Sequence, residues 1–79
     1  MEKTLQNMQD HFIICGFGRI GRIVCERLEE ANFPFVVIDG SDEKLDRAKH
    51  HHYLFLIGNA TDDELLIEAG VKHAKGVVC

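Results

Sequence analysis

Three glycines (Gly16, Gly18 and Gly21), the arginine between them (Arg19) and an acid at Asp39 are the residues whose types and spacing can do chemistry in this chain. In the spacing G-x-G-x-x-G, the first glycine allows a tight turn and the second lets a pyrophosphate approach the backbone. The third lets a helix pack closely on a sheet. A helix opening at such a loop presents unpaired N–H groups and a partial positive charge to an anion. Arg19 stands at that mouth, where a guanidinium can pair with a phosphate. Asp39 lies eighteen residues past Gly21, where a carboxylate accepts hydrogen bonds from ribose hydroxyls. A carboxylate there repels a 2′-phosphate, and no arginine follows in Gly40-Ser41-Asp42. NAD(H), ATP, ADP or AMP is therefore the expected ligand class, and NADP is not. The glycine spacing by itself equally describes a plain strand-to-helix turn. The strand before it, the helix after it and the spaced acid give it weight.

The elements that must position these residues are legible in the hydropathy pattern. Residues 11–15 form an apolar run that reads as a buried strand. Over 19–32, Ile20, Ile23, Val24, Leu28 and Ala31 recur at helical spacing and predict one core-facing side. Asn32 suits the helix end, and Pro34 blocks continuation. Residues 35–38 read as a second strand, apolar throughout as in a sheet covered on both faces. Ser41 is the expected N-cap of a helix running to about His50, and residues 53–57 read as a third strand. Thr61 and Glu64 form a capping-box pattern for a third helix, which Gly70 ends. Residues 77–79 read as a fourth strand. The order βαβαβαβ predicts an α/β, Rossmann-like three-layer fold with a parallel sheet of about four strands ordered 3-2-1-4. That is the first half of a doubly wound fold plus the strand that begins its second half. Residues 1–10 are expected to be a linker or arm, and 11–79 one nucleotide-binding subdomain.

Other chemistry is weaker. Asn59, at the end of the third strand, shares a sheet edge with the glycine loop; it either reaches the adenine or its ribose, or is a plain turn residue. His50-His51-His52 invites a metal reading, but adjacent histidines at a helix end point in different directions, so no metal is expected. His11 and His73 are isolated in sequence. Cys15, Cys25 and Cys79 contain no C-x-x-C and read as reduced core thiols. The net charge of −4 leaves no basic stripe for nucleic acid. No window approaches a membrane span, and no signal-peptide core opens the chain, so no direct membrane insertion and a cytoplasmic location are expected.

The residues 11–22, HFIICGFGRIGR, closely resemble the opening of RCK domains (regulators of potassium conductance, also called KTN or TrkA-N domains). The similarity continues through 34–39 (PFVVID), 58–66 (GNATDDELL), 69–71 (AGV) and 74–78 (AKGVV), and so covers residues 11–79. The combination of G-x-G-R-x-G, the G-[DN]-A-T loop and the A-G-[VI] helix end is more specific than the glycine motif. Members of that family bind NAD(H), ATP or ADP and gate potassium channels or transporters. The resemblance implies that Gly16, Phe17, Gly18, Arg19, Ile20 and Gly21 hold phosphates and Asp39 the ribose. It places Asn59 and Ala60 beside the adenine and Ser41 and Cys79 at the pocket edge. Asn59 replaces the commoner aspartate of the family. Residues 1–8 are similar to the linker joining a channel's last pore helix to its first RCK domain, implying a prokaryotic potassium channel.

The family domain continues with further strands and a helix that dimerises neighbours, beyond the sequence read here. On that ground the fourth strand is expected to offer an unprotected edge, and self-association to follow. The competing class is the cofactor-binding half of an NAD-dependent oxidoreductase, but such an enzyme needs a substrate domain carrying an acid or base. A methyltransferase fits the glycine pattern less well. The expectation is a non-enzymatic, nucleotide-binding regulatory domain.

Overall fold

A computed structural model describes residues 9–59 and 61–78. Four strands, β1 (Phe12–Cys15), β2 (Phe35–Asp39), β3 (Leu54–Ile57) and β4 (Gly76–Val78), alternate with helices α1 (Arg19–Glu30), α2 (Asp42–His50) and α3 (Asp63–Glu68). A 3-10 turn at Val71–His73 follows α3. All strand pairs are parallel, in the order β3-β2-β1-β4. The register sets Ile14 opposite Val37 and Val78. The expected fold and strand order are those observed. Residues 1–8, Ala60 and Cys79 lie outside the described residues.

Strand alternation divides the core into two layers. On one face Ile14, Phe17 and Val37 pack with Cys25 of α1 and with Leu45 and Ala48 of α2. On the other, Ile13, Val36 and Ile38 pack with Ala69, flanked by Leu65, Leu66 and Val71. Every strand of the sheet therefore carries apolar residues on both faces, as the continuous runs require.

Three sequence expectations are corrected. The buried side of α1 is not the one centred on Ile20 and Ile23: these are 74% and 50% exposed, and Ala31 is exposed too. Cys25 is fully buried, with Val24 and Leu28 packed beside it. Second, α3 is capped by Asp62, not Thr61: the Asp62 carboxylate accepts from the Glu64 N–H at 3.0 Å. The Thr61 N–H instead donates to Asn59 Oδ1 at 3.0 Å. Asp62→Ala should therefore cost about 1 kcal/mol and Thr61→Ala a few tenths at most, a difference that urea denaturation of the two variants would resolve. Third, His11 is not isolated. Its side chain is fully buried, and Nε2 donates to the Ala69 carbonyl at 2.7 Å, tying the entry of β1 to the end of α3. The other caps are as expected: the Ser41 hydroxyl accepts from Lys44 N–H, and Gly70 ends α3 in the left-handed conformation at φ 78°.

Candidate functional site

Because the strands are parallel, the C-terminal ends of β1, β2 and β3 share one sheet edge, where ligands of open α/β sheets bind. The chain leaves β1 through Gly16 at φ +96°, a conformation in which a Cβ is disfavoured. The Gly16 N–H still reaches the Ile38 carbonyl at 2.7 Å, so the turn starts tight against β2. Gly18 is the N-cap of α1 and provides no side-chain cap. The first N–H groups of α1 have no intrahelical partner. A Cβ built on Gly18 meets nothing within 4 Å, so the space beside this N-cap residue is open. A Cβ built on Gly21 instead runs into the Gly16 carbonyl oxygen, which is how closely the helix crosses the strand end.

Asp39 ties this loop to β2. Its Oδ2 accepts from the Phe17 N–H at 2.7 Å, and its Oδ1 from the Ser41 N–H at 2.9 Å. Burial pushes the Asp39 carboxyl upward. The backbone N–H donors of Phe17 and Ser41, the Lys44 charge and the Gly40 N–H outweigh this and hold it below its ordinary value. The group is thus a fixed anion whose remaining lone pairs can accept from hydroxyl donors.

Two clefts flank the loop and share Cys15 and Gly16. One, about 340 Å³, is bounded by Ile38, Asp39, Gly40, Gly58 and Asn59. The other, about 410 Å³, is bounded by Ile14, Gly18, Arg19, Ile20, Gly21 and Val78. The acid therefore borders one cleft and the helix N-terminus the other, with the Cys15–Gly16 turn between them. Among the residues singled out in the sequence, Phe17 contributes only backbone: its ring is buried beneath the loop. The Ser41 hydroxyl is engaged as the α2 cap. Asn59 lines the first cleft while its Oδ1 closes a local turn. Ala60 and Cys79 fall outside the described residues. Cys15, Ile38, Gly40 and Gly58 were not anticipated as lining. Their signal is position: Cys15 ends β1, Ile38 is the last residue but one of β2, and Gly40 and Gly58 directly follow β2 and β3. Among the described residues, no group of three or more His, Cys, Asp or Glu is placed to hold a metal, and no helix is long and apolar enough to cross a membrane.

The family model for the TrkA-N domain matches residues 12–79. The chain belongs to the TrkA-N domain family. This TrkA-N domain is 35% identical to potassium channel protein 1 of Methanocaldococcus jannaschii over 99% of its own length and 24% of the channel's. It is 33% identical to the chloroplastic K(+) efflux antiporter 1 of Arabidopsis thaliana, over 99% of its length and 6% of the antiporter's. It thus spans about a quarter of the channel's length. Among solved structures, the TrkA-N domain of the Escherichia coli inner membrane protein ybaL superposes with a TM-score of 0.83 at 28% identity, covering 90% of this chain and 53% of that one. GsuK bound to ADP superposes with a TM-score of 0.78 at 26% identity, covering 91% of this chain and 19% of that one. The resemblance drawn from the motifs is thereby established at the level of the family.

Proposed function

We propose that this TrkA-N domain binds an adenine nucleotide at the glycine loop and that occupancy regulates potassium transport by the membrane protein to which it is joined. The observation that carries the reading is the double anchorage of Asp39. One carboxylate holds the loop amide of Phe17 and the amide of Ser41, so ribose acceptor and phosphate cradle are tied to each other before any ligand arrives. Such preorganisation lowers the ordering cost of binding. The likeness to GsuK, solved with ADP, and to potassium channels and antiporters supports the ligand class and the setting. In this reading Asp39 takes the ribose and the N–H groups of Gly18 to Gly21 take the phosphates, with Arg19 beside them. Asn59 lies toward the adenine. Regulation follows if the nucleotide binds one state of the assembly better than another. The domain then works on the cytoplasmic side of the membrane, without chemistry of its own.

Arg19 gives the direct test. Calorimetric titration of the wild-type domain with ADP, ATP and adenosine should give binding that strengthens with phosphate number. Arg19→Ala should weaken ADP and ATP by about tenfold, the scale of one charge-assisted hydrogen bond, and leave adenosine unchanged. Equal losses for all three ligands would remove Arg19 from the phosphate site.

A further inference from the structure

Phe17 joins two environments in one residue. Its backbone N–H is held by Asp39 at the ligand edge, while its ring, 1% exposed, lies in the core between the sheet and the α1–α2 layer. That ring meets the Tyr53 ring edge-on, with centroids 6.0 Å apart. Tyr53 precedes β3, at the end of the sheet opposite the glycine loop. It is held from three further sides: edge-on by Phe35 at 4.9 Å, stacked on His51 at the end of α2 at 5.2 Å, and through its hydroxyl by Glu29 in the last turn of α1. The hydroxyl donates to Glu29 Oε1 at 3.2 Å. Burial, then the Glu29 charge and its hydrogen bond, push the Tyr53 hydroxyl up to about 12, so it remains a donor at neutral pH.

We propose that Tyr53 carries the state of the glycine loop to the C-terminal ends of α1 and α2, where Glu29 and His51 form the output surface. The inference rests on the nucleotide reading above. The coupling rests on stiffness. A close-packed interior does not absorb a shifted ring, so a change in the Phe17 backbone is passed to its ring and then to Tyr53. The inner contacts of Tyr53 are packed aromatic edges. Its outer contacts are one exposed hydrogen bond and one stack on an exposed histidine, each individually weak. These outer contacts are where displacement is relieved, which makes the bonded and released forms of the Tyr53–Glu29 pair the two-state element that a coupling requires. The loop and α1 also share a covalent boundary at Gly18, but a signal passing only through the helix axis would not need Tyr53.

The test is a comparison of amide spectra of the ¹⁵N-labelled 79-residue chain with and without saturating ADP. In the wild type, ADP should shift the amides of the glycine loop and also those of residues 29–33 and 51–53. Tyr53→Phe keeps the ring and removes the hydroxyl. It should bind ADP within about threefold of wild type, lose the shifts at 29–33 and keep those at His51. Glu29→Ala, a change at an exposed position that removes the acceptor, should reproduce the loss at 29–33. Shifts confined to the loop, β2 end and β3 end in the wild type would overturn the coupling and leave nucleotide binding intact. Unaltered shifts at 29–33 in both variants would overturn the role of Tyr53. Absence of calorimetric binding of ADP, ATP and NAD to the wild type would overturn both the coupling and the nucleotide reading.

Discussion

Gly21→Ala is expected to destabilise the domain by about 3 kcal/mol, the upper part of the range for overpacking a close contact. The added methyl would run into a backbone atom, the Gly16 carbonyl oxygen, and not into a side chain that can rotate away. Relief requires lifting α1 off β1, which opens the layer containing Ile14, Phe17 and Cys25. For a domain of this size, 3 kcal/mol lowers Tm by roughly 12–24 °C, readily seen by thermal circular dichroism. Gly18→Ala is the matched control. Gly18 sits at φ −86° and ψ −156°, accessible to alanine, and its built Cβ meets nothing. Its stability should stay within about 1 kcal/mol of wild type, with the stiffer unfolded chain favouring the variant. ADP binding should nevertheless fall at least about tenfold, because the methyl occupies the space the phosphates need. A Gly18→Ala protein that binds ADP normally would show that the phosphates do not lie there. Two glycines three residues apart thus separate folding from binding.

The same geometry explains how far the site was legible in the sequence. Gly16, Gly18, Gly21 and Asp39 were readable because each answers to a backbone requirement that few residue types satisfy. The rotation of α1 was not, because counting apolar residues gives Ile20 and Ile23 the same weight as Val24 and Leu28. What fixes the rotation is the close approach at Gly21. Residues on its side of the helix follow at three, four and seven positions, and these are Val24, Cys25 and Leu28, which pack on the sheet. Ile20 and Ile23 are turned aside and stay exposed. The start of α3 lies one residue beyond the position its capping-box pattern predicts, for a similar reason. Thr61 and Asp62 are both competent caps, and the Asn59 carbonyl groups decide between them. The Asn59 side chain takes the Thr61 N–H and its backbone takes the Asp62 N–H at 2.9 Å, so the helix begins one residue later. The burial of His11 and the inward ring of Phe17 depend on contacts across 58 residues for His11 and on the α1–α2 layer for Phe17, which no local pattern contains.

Asp39→Ala should be costly twice over. It removes the acceptor of two backbone N–H groups, those of Phe17 and Ser41, at about 2–3 kcal/mol for charge-assisted bonds that lose their partner. It should also weaken every ribose-bearing adenine nucleotide, whatever its phosphate number, whereas Arg19→Ala discriminates by phosphate. Asp39→Asn sharpens the point, since its single side-chain oxygen cannot accept from both amides in the observed geometry and its NH₂ confronts one donor. The pH dependence follows from the direction of the shift. The folded carboxyl sits below its ordinary value of 3.8, so the unfolded chain takes up a proton first as pH falls. The stabilisation from Asp39 is therefore complete above the ordinary value and is lost as pH drops through the folded one. Urea unfolding between pH 7 and pH 2 should show wild-type stability declining below about pH 4, with the Asp39→Asn variant losing less over the same interval because part of that decline has been removed. Parallel curves for the two proteins would mean that Asp39 does not hold the loop in solution, and the preorganised cradle on which the nucleotide reading stands would go with it.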